Sequence, residues 1–202
     1  MTESALNVSR ETHARLEILA TLVAKWSRRI NLVAPSQLSC LWQRHIQDSR
    51  QLFDMAPHEL SHWVDVGSGG GFPGLVVAAL AADQAPAADV TLIECDKRKA
   101  TFLRTAADAM GLAPTIHASR AETVQPQCAD VLSARAVASL ENLCNHADRH
   151  LAPAGIALFP KGSNHDAEVD KARRNWQFTL ERQPSQTSPQ AAILRVGGLK
   201  RV

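Results

Sequence analysis

Apolar positions along the chain follow two spacings, one typical of amphipathic helices and one typical of short buried strands. Five short apolar runs are each followed by a helical pattern, and a pair of strands ends the chain. The predicted strands are residues 63–66, 89–94, 114–117, 129–133, 156–159, 176–182 and 191–197. This alternation predicts an α/β protein with a seven-stranded, mostly parallel sheet.

Two helical patterns precede the first predicted strand. The first covers residues 9–33 and places Leu16, Leu19 and Val23 on one face. Pro35 breaks this pattern, and a second helical pattern follows through residue 52. We therefore expect residues 1–58 to form an N-terminal helical extension and residues 59–202 to form the core.

The first predicted strand runs directly into a glycine-rich turn. The sequence DVGSGGGFPG occupies residues 65–74, and an apolar helix pattern begins where the glycines end. Glycine allows positive φ and lets a flat ligand approach the backbone. Because a strand, a glycine loop and a helix form the usual nucleotide site, we expect cofactor contacts at Asp65, Gly67, Gly69 and Gly71.

The identity of the cofactor depends on the residues around this turn. Residues 69–74 also fit the dinucleotide fingerprint G-x-G-x-x-G, but Pro73 has no N–H to offer a pyrophosphate. Residues 61–96 contain five acidic residues and no Lys or Arg, which suits a sulfonium cation. Asp65 also stands two residues before Gly67, as in class I methyltransferases, so we predict S-adenosylmethionine (SAM) and not NAD.

Other candidate contacts follow the predicted strands. Glu94 ends the second strand, at the sheet edge that faces the ligand, where its carboxylate can accept the ribose hydroxyls. The loop at residues 119–122 is expected to cover the adenine, with Glu122 or a backbone group bonding the base edge. Arg135, at the tip of the fourth strand, is a further candidate because an arginine there seldom serves packing.

Composition indicates an ordinary globular protein. The 202 residues are 45% hydrophobic and 21% charged, with a net charge of +2, and the four cysteines are scattered as in a reducing compartment. No signal pattern opens the chain, and the longest apolar run, at residues 75–82, is too short to span a bilayer. We expect a cytoplasmic monomer that does not contact a membrane.

Two histidine patterns raise the question of a metal. Residues 58–62 match H-E-x-x-H, but Pro57 precedes them and a strand begins at His62, whereas this zinc site needs one continuous helix. His146 and His150 lie one helical turn apart without a group that completes a site. We therefore expect no metal.

The residues at the end of the fourth strand restrict which kind of atom can accept the methyl group. Residues 133–136 read Ser-Ala-Arg-Ala, where enzymes that methylate exocyclic amines have an Asn/Asp-Pro-Pro-aromatic turn. Carbon methylation needs a cysteine nucleophile, and we interpret Cys95, beside the ribose position, as structural. A ring nitrogen such as guanine N7 needs no base, so catalysis there would rest on positioning.

Several motifs, in order and spacing, resemble the RsmG/GidB family of bacterial small-subunit rRNA guanine-N7 methyltransferases. They cover roughly residues 20–165 and are DVGSGGGFPG at 65–74, RHIQDS at 44–49, Asn31-Leu32, Arg120-Ala121-Glu122, SARA at 133–136 and Lys161-Gly162. The resemblance implies a Rossmann-like, SAM-dependent class I fold that methylates N7 of a guanosine in the conserved decoding-region loop of 16S rRNA. It also implies cofactor contacts at Gly67, Phe72, Ala121, Glu122 and Arg135. The first helix departs from the family pattern at Ser27 and Val33.

An rRNA substrate, in the small ribosomal subunit or its precursor, would explain the basic clusters. The target is expected to be a loop base taken out of its stack, because N7 is out of reach in an A-form helix. The predicted phosphate contacts are Lys25, Arg28, Arg29, Lys97, Arg98, Lys99, Lys200 and Arg201. Arg44, His45 and Asp48 either border the methyl-transfer pocket or dock their helix onto the core as an ion pair.

Two other functions stay open at the level of sequence. A non-catalytic RNA-binding or ribosome-assembly module would retain the fold without activity, although the intact glycine loop and Glu94 argue against it. An NAD-linked oxidoreductase would bind NADH and ignore SAM.

Overall fold

Seven strands form one sheet in the computed structural model, which describes residues 7–135 and 138–202. The strands are β1 (His62–Val66), β2 (Asp89–Ile93), β3 (Thr115–His117), β4 (Ala129–Ala134), β5 (Leu151–Lys161), β6 (Trp176–Pro184) and β7 (Ala192–Arg201). Their order across the sheet is β3-β2-β1-β4-β5-β7-β6. The first five strands run parallel, and β7 is antiparallel to both of its neighbours. The predicted sheet is thus confirmed.

Six α-helices lie in the described ranges. They are α1 (Arg10–Trp26), α2 (Asp48–Phe53), α3 (Gly74–Gln84), α4 (Lys97–Ala109), α5 (Leu140–His150) and α6 (His165–Ala172). Local signals set several of their ends: the Ser9 side chain caps α1 by accepting the Thr12 N–H, and Asp96 caps α4 in the same way. Gly111, in the left-handed region, follows the end of α4, as its position in the sequence predicts.

The N-terminal segment departs from the two regular helices that the sequence predicts. The first helix ends at Trp26, and an irregular stretch leads to a 3-10 helix at Pro35–Cys40. A π-helical turn at Trp42–Gln47 then leads into α2. Turns of this kind are rare and are frequently found at functional sites.

The N-terminal helices share the core of the sheet domain. The buried face of α1 (Leu16, Leu19, Val23) belongs to the same apolar cluster as Leu75 and Leu80 of α3. Since α3 lies between the sheet and this layer, every residue from 74 to 81 is buried. This explains why α3 has no polar face in the sequence. Within the described residues, no helix is both long and apolar enough to cross a bilayer.

A buried carboxylate fixes the turn that follows β1. Asp65 is 0% exposed, and its Oδ2 accepts the Gly74 N–H at 3.1 Å. Its Oδ1 accepts the Ser133 hydroxyl of β4 at 2.7 Å, and the Ser133 oxygen accepts the Trp63 indole N–H at 2.8 Å. The predicted cofactor contact at Asp65 is therefore wrong, because the side chain lies beneath the turn and holds its two ends.

Gly74→Ala is expected to destabilise the fold. A Cβ at this position would meet Leu92 Cδ2 and lie 2.7 Å from Asp65 Oδ2, so the buried turn must shift. Overpacking of this kind costs about 1–3 kcal/mol in the free energy of unfolding, which urea titration measures. Gly162→Ala is the matched control, since its Cβ would have no neighbour within 4 Å. Equal unfolding free energies for the two variants would contradict this role of Gly74.

Candidate functional site

Two cavities open along the carboxyl ends of the parallel strands. The first, of about 710 Å³, lies between the turn after β1, the segment at residues 31–52, the end of β5 and the start of β7. The second, of about 560 Å³, lies between the loop after β3 and α5. Gly67 and Cys95 line both cavities. Both volumes fall within the range of small-molecule sites, and the shared wall allows one elongated ligand to occupy both.

The glycine turn presents its backbone to the first cavity. Gly67, Gly69 and Gly71 have φ of 70°, 51° and 86°, a region that side chains rarely adopt. Gly67 and Gly69 line the cavity, and their contact with the cofactor stays a prediction. Gly71 is buried, and a Cβ there would lie 2.8 Å from Leu75 Cδ1. The predicted contact at Gly71 is therefore corrected: this glycine makes room for α3.

Glu94 connects the end of β2 to the glycine turn. Its Oε2 accepts the Gly69 N–H and its Oε1 accepts the Asp96 N–H, each at 2.8 Å. The side chain is only 6% exposed but lines the first cavity. Each carboxylate oxygen has a second lone pair. Glu94 can therefore accept ribose hydroxyls while it holds the turn, and its role as ribose ligand stays a prediction.

The loop after β3 forms part of the second cavity. Ala121 and Glu122 line it, in a 3-10 turn at Ala121–Thr123. The Ala121 carbonyl accepts a hydrogen bond from His150 Nε2 at 3.0 Å, and Arg149 donates twice to the Val124 carbonyl. The sequence reading missed this anchoring role of α5. The one-turn spacing of His146 and His150 could have indicated this role, because His146 lines the cavity and His150 holds the loop.

The π-helical turn brings a second group of side chains to the first cavity. Arg44, His45 and Asp48 all line it. The described ion pairs do not join Arg44 to Asp48, so the docking ion pair considered from the sequence is absent. Arg135 instead docks the π-helical turn onto the sheet. Its Nη1 donates to the Arg44 carbonyl at 3.1 Å, and its Nη2 donates to His45 Nδ1 at 2.5 Å.

Phe72, in the glycine turn, contacts both His45 and Arg135. Its ring stacks on His45 at 5.0 Å between centroids, and the Arg135 guanidinium lies 5.5 Å from the same centroid. Phe72 and Arg135 both line the first cavity, and their contact with the cofactor stays a prediction. The residue after Arg135, Ala136, lies outside the described residues.

His45 is neutral at physiological pH. Burial lowers its pKa to about 4, and the charges of Arg135 and Arg44 act in the same direction. Because Nδ1 accepts a hydrogen bond from Arg135, the ring proton is on Nε2. An imidazole whose free nitrogen is already bonded to a guanidinium is not available as a general base.

Two basic clusters lie at the cavity end of the molecule. Arg15 donates to the Met110 carbonyl after α4, whereas Trp26 packs on Phe102 in the first half of α4, so the two helices run in opposite directions. The end of α1 therefore lies beside the start of α4. This brings the exposed Lys25, Arg28 and Arg29 near Lys97, Arg98 and Lys99, and Lys99 itself lines the first cavity.

Lys200 and Arg201 lie at the end of β7 that is farther from the first cavity. Strand β7 begins at Ala192, which lines the first cavity, and runs antiparallel to β5 toward the opposite edge of the sheet. At about 3.4 Å per residue, the two basic residues lie roughly 25–30 Å from the cavity. Arg201 stacks over Trp176 at 5.6 Å. Direct pairing with β5 therefore carries both residues away from the cavity, whereas the prediction groups them with the other basic residues around the target base.

The loop between β6 and β7 covers the first cavity. The Gln186 N–H donates to Gln51 Oε1 at 2.8 Å, and the Thr187 hydroxyl donates to Asp48 Oδ1. Ser185 and Gln190 line the cavity as well. Small polar residues in a hairpin loop give no sequence signal for such a contact.

The residues considered for metal binding have other partners. In the ranges 7–135 and 138–202, no three His, Cys, Asp or Glu side chains group as a metal site. His62 lies in β1, with its ring nitrogens bonded to the Gln127 carbonyl and the Thr91 hydroxyl. Cys95 is exposed in the wall of both cavities, which corrects its interpretation as a structural residue.

His45 is expected to make the fold sensitive to acid. With a folded pKa of about 4 and an ordinary value of 6.5, it stays neutral in the folded state while the unfolded chain takes up a proton. Its contribution to stability is present above pH 6.5 and is lost as the pH falls toward 4. We expect a loss of about 2 kcal/mol between pH 6.5 and 4.5 relative to His45→Asn.

Urea unfolding at a series of pH values measures this difference. His58→Asn is the matched control, because His58 is exposed, and it is expected to retain the wild-type pH profile. Identical pH profiles for the wild type and His45→Asn would show that His45 is not held neutral.

Comparison with known proteins gives consistent matches. The family model described as rRNA small subunit methyltransferase G matches residues 12–193. Proteins named ribosomal RNA small subunit methyltransferase G from Cereibacter sphaeroides and from a Ruegeria species are 50% and 49% identical to the chain. These alignments cover 98% of this chain in both cases, and 95% and 96% of the relatives.

A solved structure supports the fold class. The SAM-dependent O-methyltransferase of Thermotoga maritima superposes with a TM-score of 0.60 at 17% identity, over 91% of this chain and 72% of that chain. At this identity the likeness concerns the fold alone. It confirms the predicted Rossmann-like class I methyltransferase fold.

Proposed function

Because the chain belongs to the rRNA small subunit methyltransferase G family, we propose that it transfers a methyl group from SAM to N7 of a guanosine in 16S rRNA. The proposed acceptor lies in the decoding-region loop, in the small ribosomal subunit or its precursor. The observation that carries the proposal is the first cavity, which joins the glycine turn to the π-helical segment with Arg44, His45 and Asp48.

The cavity walls fit the expected methyl donor. Membership of this methyltransferase family confirms SAM as the cofactor. We assign the methionine end to the backbone at Gly67 and Gly69, the ribose to Glu94, and the adenine to the second cavity beside Ala121 and Glu122. The buried Glu94 carboxylate offers negative charge near a sulfonium, and Pro73 leaves the turn without an N–H that a pyrophosphate would use.

The surrounding side chains favour a mechanism without proton transfer. Bound SAM supplies an electrophilic methyl carbon on a sulfonium, and the lone pair of guanine N7 can attack it directly. His45 is excluded as a base, because its Nδ1 is bonded to Arg135 and its Nε2 carries the proton. Catalysis then rests on orienting the base and excluding water. Phe72 and the loop at residues 185–191 contribute to this closure.

Methyl transfer to isolated small subunits tests the proposal. The acceptor is the subunit from a strain that lacks the modification, with SAM labelled in the methyl group. We expect one labelled guanosine in the decoding-region loop, released as 7-methylguanosine on digestion. Label on another base, or on another atom of guanine, would overturn the proposed chemistry. Binding without any label would favour the non-catalytic assembly module.

The basic clusters beside the first cavity are proposed to hold the RNA backbone. Lys25, Arg28 and Arg29 lie just before residues 31–34, which line the cavity. Lys97, Arg98 and Lys99 lie on the neighbouring first turn of α4. Lysine and arginine at these positions can contact phosphates on either side of a base that is flipped into the cavity.

The double variant Arg28→Ala/Arg29→Ala is expected to bind subunits with a weaker salt dependence. Each lost phosphate contact lowers the slope of log K against log salt by about 0.7–0.9, so the slope falls by roughly 1.5. Lys200→Ala/Arg201→Ala is the matched control, since it also removes two exposed charges, but far from the cavity. Filter binding at a series of salt concentrations measures both. Equal slope changes would contradict the assignment of the RNA to the cavity end.

A further inference from the structure

Two carboxylates line the first cavity, and they differ in how their oxygens are used. Both oxygens of Glu94 accept backbone N–H groups. Asp48 accepts hydrogen bonds from Gln51 and Thr187, and both bonds reach the same oxygen, Oδ1. In the part of the chain that the structure describes, no hydrogen bond reaches Asp48 Oδ2. Asp48 therefore retains acceptor capacity at the cavity wall.

Asp48 is held in place by two parts of the fold. Gln51, on the same helix, donates its Nε2 to Oδ1 at 3.3 Å, and Thr187 donates from the loop between β6 and β7. Gln51 also accepts the Gln186 N–H, so the helix and the loop hold each other. A side chain fixed in this way loses little conformational entropy when it binds a ligand.

Two arginines accompany this carboxylate. Arg44 lines the same cavity one helical turn before Asp48, and Arg135, at the tip of β4, lines it as well. Burial raises the pKa of Asp48, whereas the Thr187 hydrogen bond and the charges of Arg135 and Arg44 favour its ionised form. The cavity wall thus combines an anionic acceptor with a cationic donor.

Guanine has the complementary edge. Its Watson–Crick edge carries two adjacent donors, N1–H and N2–H2, followed by the acceptor O6. Adenine, cytosine and uracil do not present two adjacent donors on this edge. A carboxylate only accepts hydrogen bonds when it is ionised, and a guanidinium only donates them. Bases that leave the stack are commonly read on this edge.

We propose that Asp48 recognises the target base as guanine by accepting hydrogen bonds from N1–H and N2–H2 at its free oxygen, Oδ2, while Arg44 donates to O6. The proposal rests on the function proposed above and deepens it by assigning base specificity to one side chain. N7 lies on a different edge of the base, so these contacts leave it free to react.

The same contact favours the reaction. Attack by N7 forms the N–CH₃ bond, the C–S bonding pair stays with sulfur, and the positive charge passes to the guanine ring without loss of a proton. The charged ring makes N1–H a stronger donor. The hydrogen bond to Asp48 is therefore stronger in the transition state than in the bound substrate, which is the condition for catalysis.

Asp48→Asn and a modified substrate test the proposal together. Subunits are reconstituted with either guanosine or inosine at the target position, because inosine lacks only the N2 amine. We expect the wild type to lose about 10-fold in kcat/KM on the inosine subunits. Asp48→Asn is expected to lose roughly 10- to 100-fold on guanosine subunits and to show no further loss with inosine.

Asp54→Asn is the matched control. Asp54 follows α2 and pairs with Arg50 at the surface, so this variant is expected to keep both the wild-type rate and the inosine penalty. Calorimetric SAM affinity, expected to change less than about twofold in Asp48→Asn, shows that the cofactor site is intact. Should Asp48→Asn fail to fold, Thr187→Val retains the carboxylate without its hydroxyl partner. It is expected to reduce the inosine penalty.

The outcomes separate this proposal from the proposed function. A full inosine penalty in the Asp48 and Thr187 variants, with guanine N7 labelled by the wild type, would overturn the role of Asp48 alone. Failure of the wild type to label guanine N7 would overturn the function instead. Loss of the penalty in Asp48→Asn with unchanged SAM affinity supports base recognition.

Discussion

The hydrogen bonds of one buried carboxylate determine the shape of the site. Asp65 joins the end of the glycine turn to β4 through Gly74 and Ser133. A buried acceptor of this kind is costly unless donors surround it, and here the donors come from the end of the turn and from the neighbouring strand. The turn is thereby held with Gly67 and Gly69 facing the cavity and with α3 starting directly beneath it.

Arg135 connects this cofactor side to the N-terminal segment. Its two donors reach Arg44 and His45, and its guanidinium lies over Phe72. One side chain at the tip of β4 thus joins the π-helical turn to the glycine turn. This arrangement explains why the N-terminal helices share the core of the sheet: they supply one wall of the first cavity.

The sequence predicts the parts of this structure that depend on local patterns. Strand and helix order and the glycine turn follow from periodicity and residue type. The π-helical turn is not predictable in this way, because its contacts with Arg135 and Phe72 join residues that are distant in the sequence. For the same reason Asp65 and Gly71 were assigned to the ligand, although burial gives them roles inside the turn.

Lys200 and Arg201 were grouped with the RNA contacts because strand direction, which separates them from the cavity, is a property of the whole sheet. The contact between Thr187 and Asp48 joins residues that are 139 positions apart, and no local signal marks it.

The central claim is that the turn after β1 holds a sulfonium methyl donor and not a dinucleotide. Isothermal titration calorimetry of the wild-type protein tests this most directly, with SAM and NADH as separate titrants. The account predicts saturable binding of one equivalent of SAM and no heat of binding from NADH. Saturable binding of NADH without any binding of SAM would contradict it.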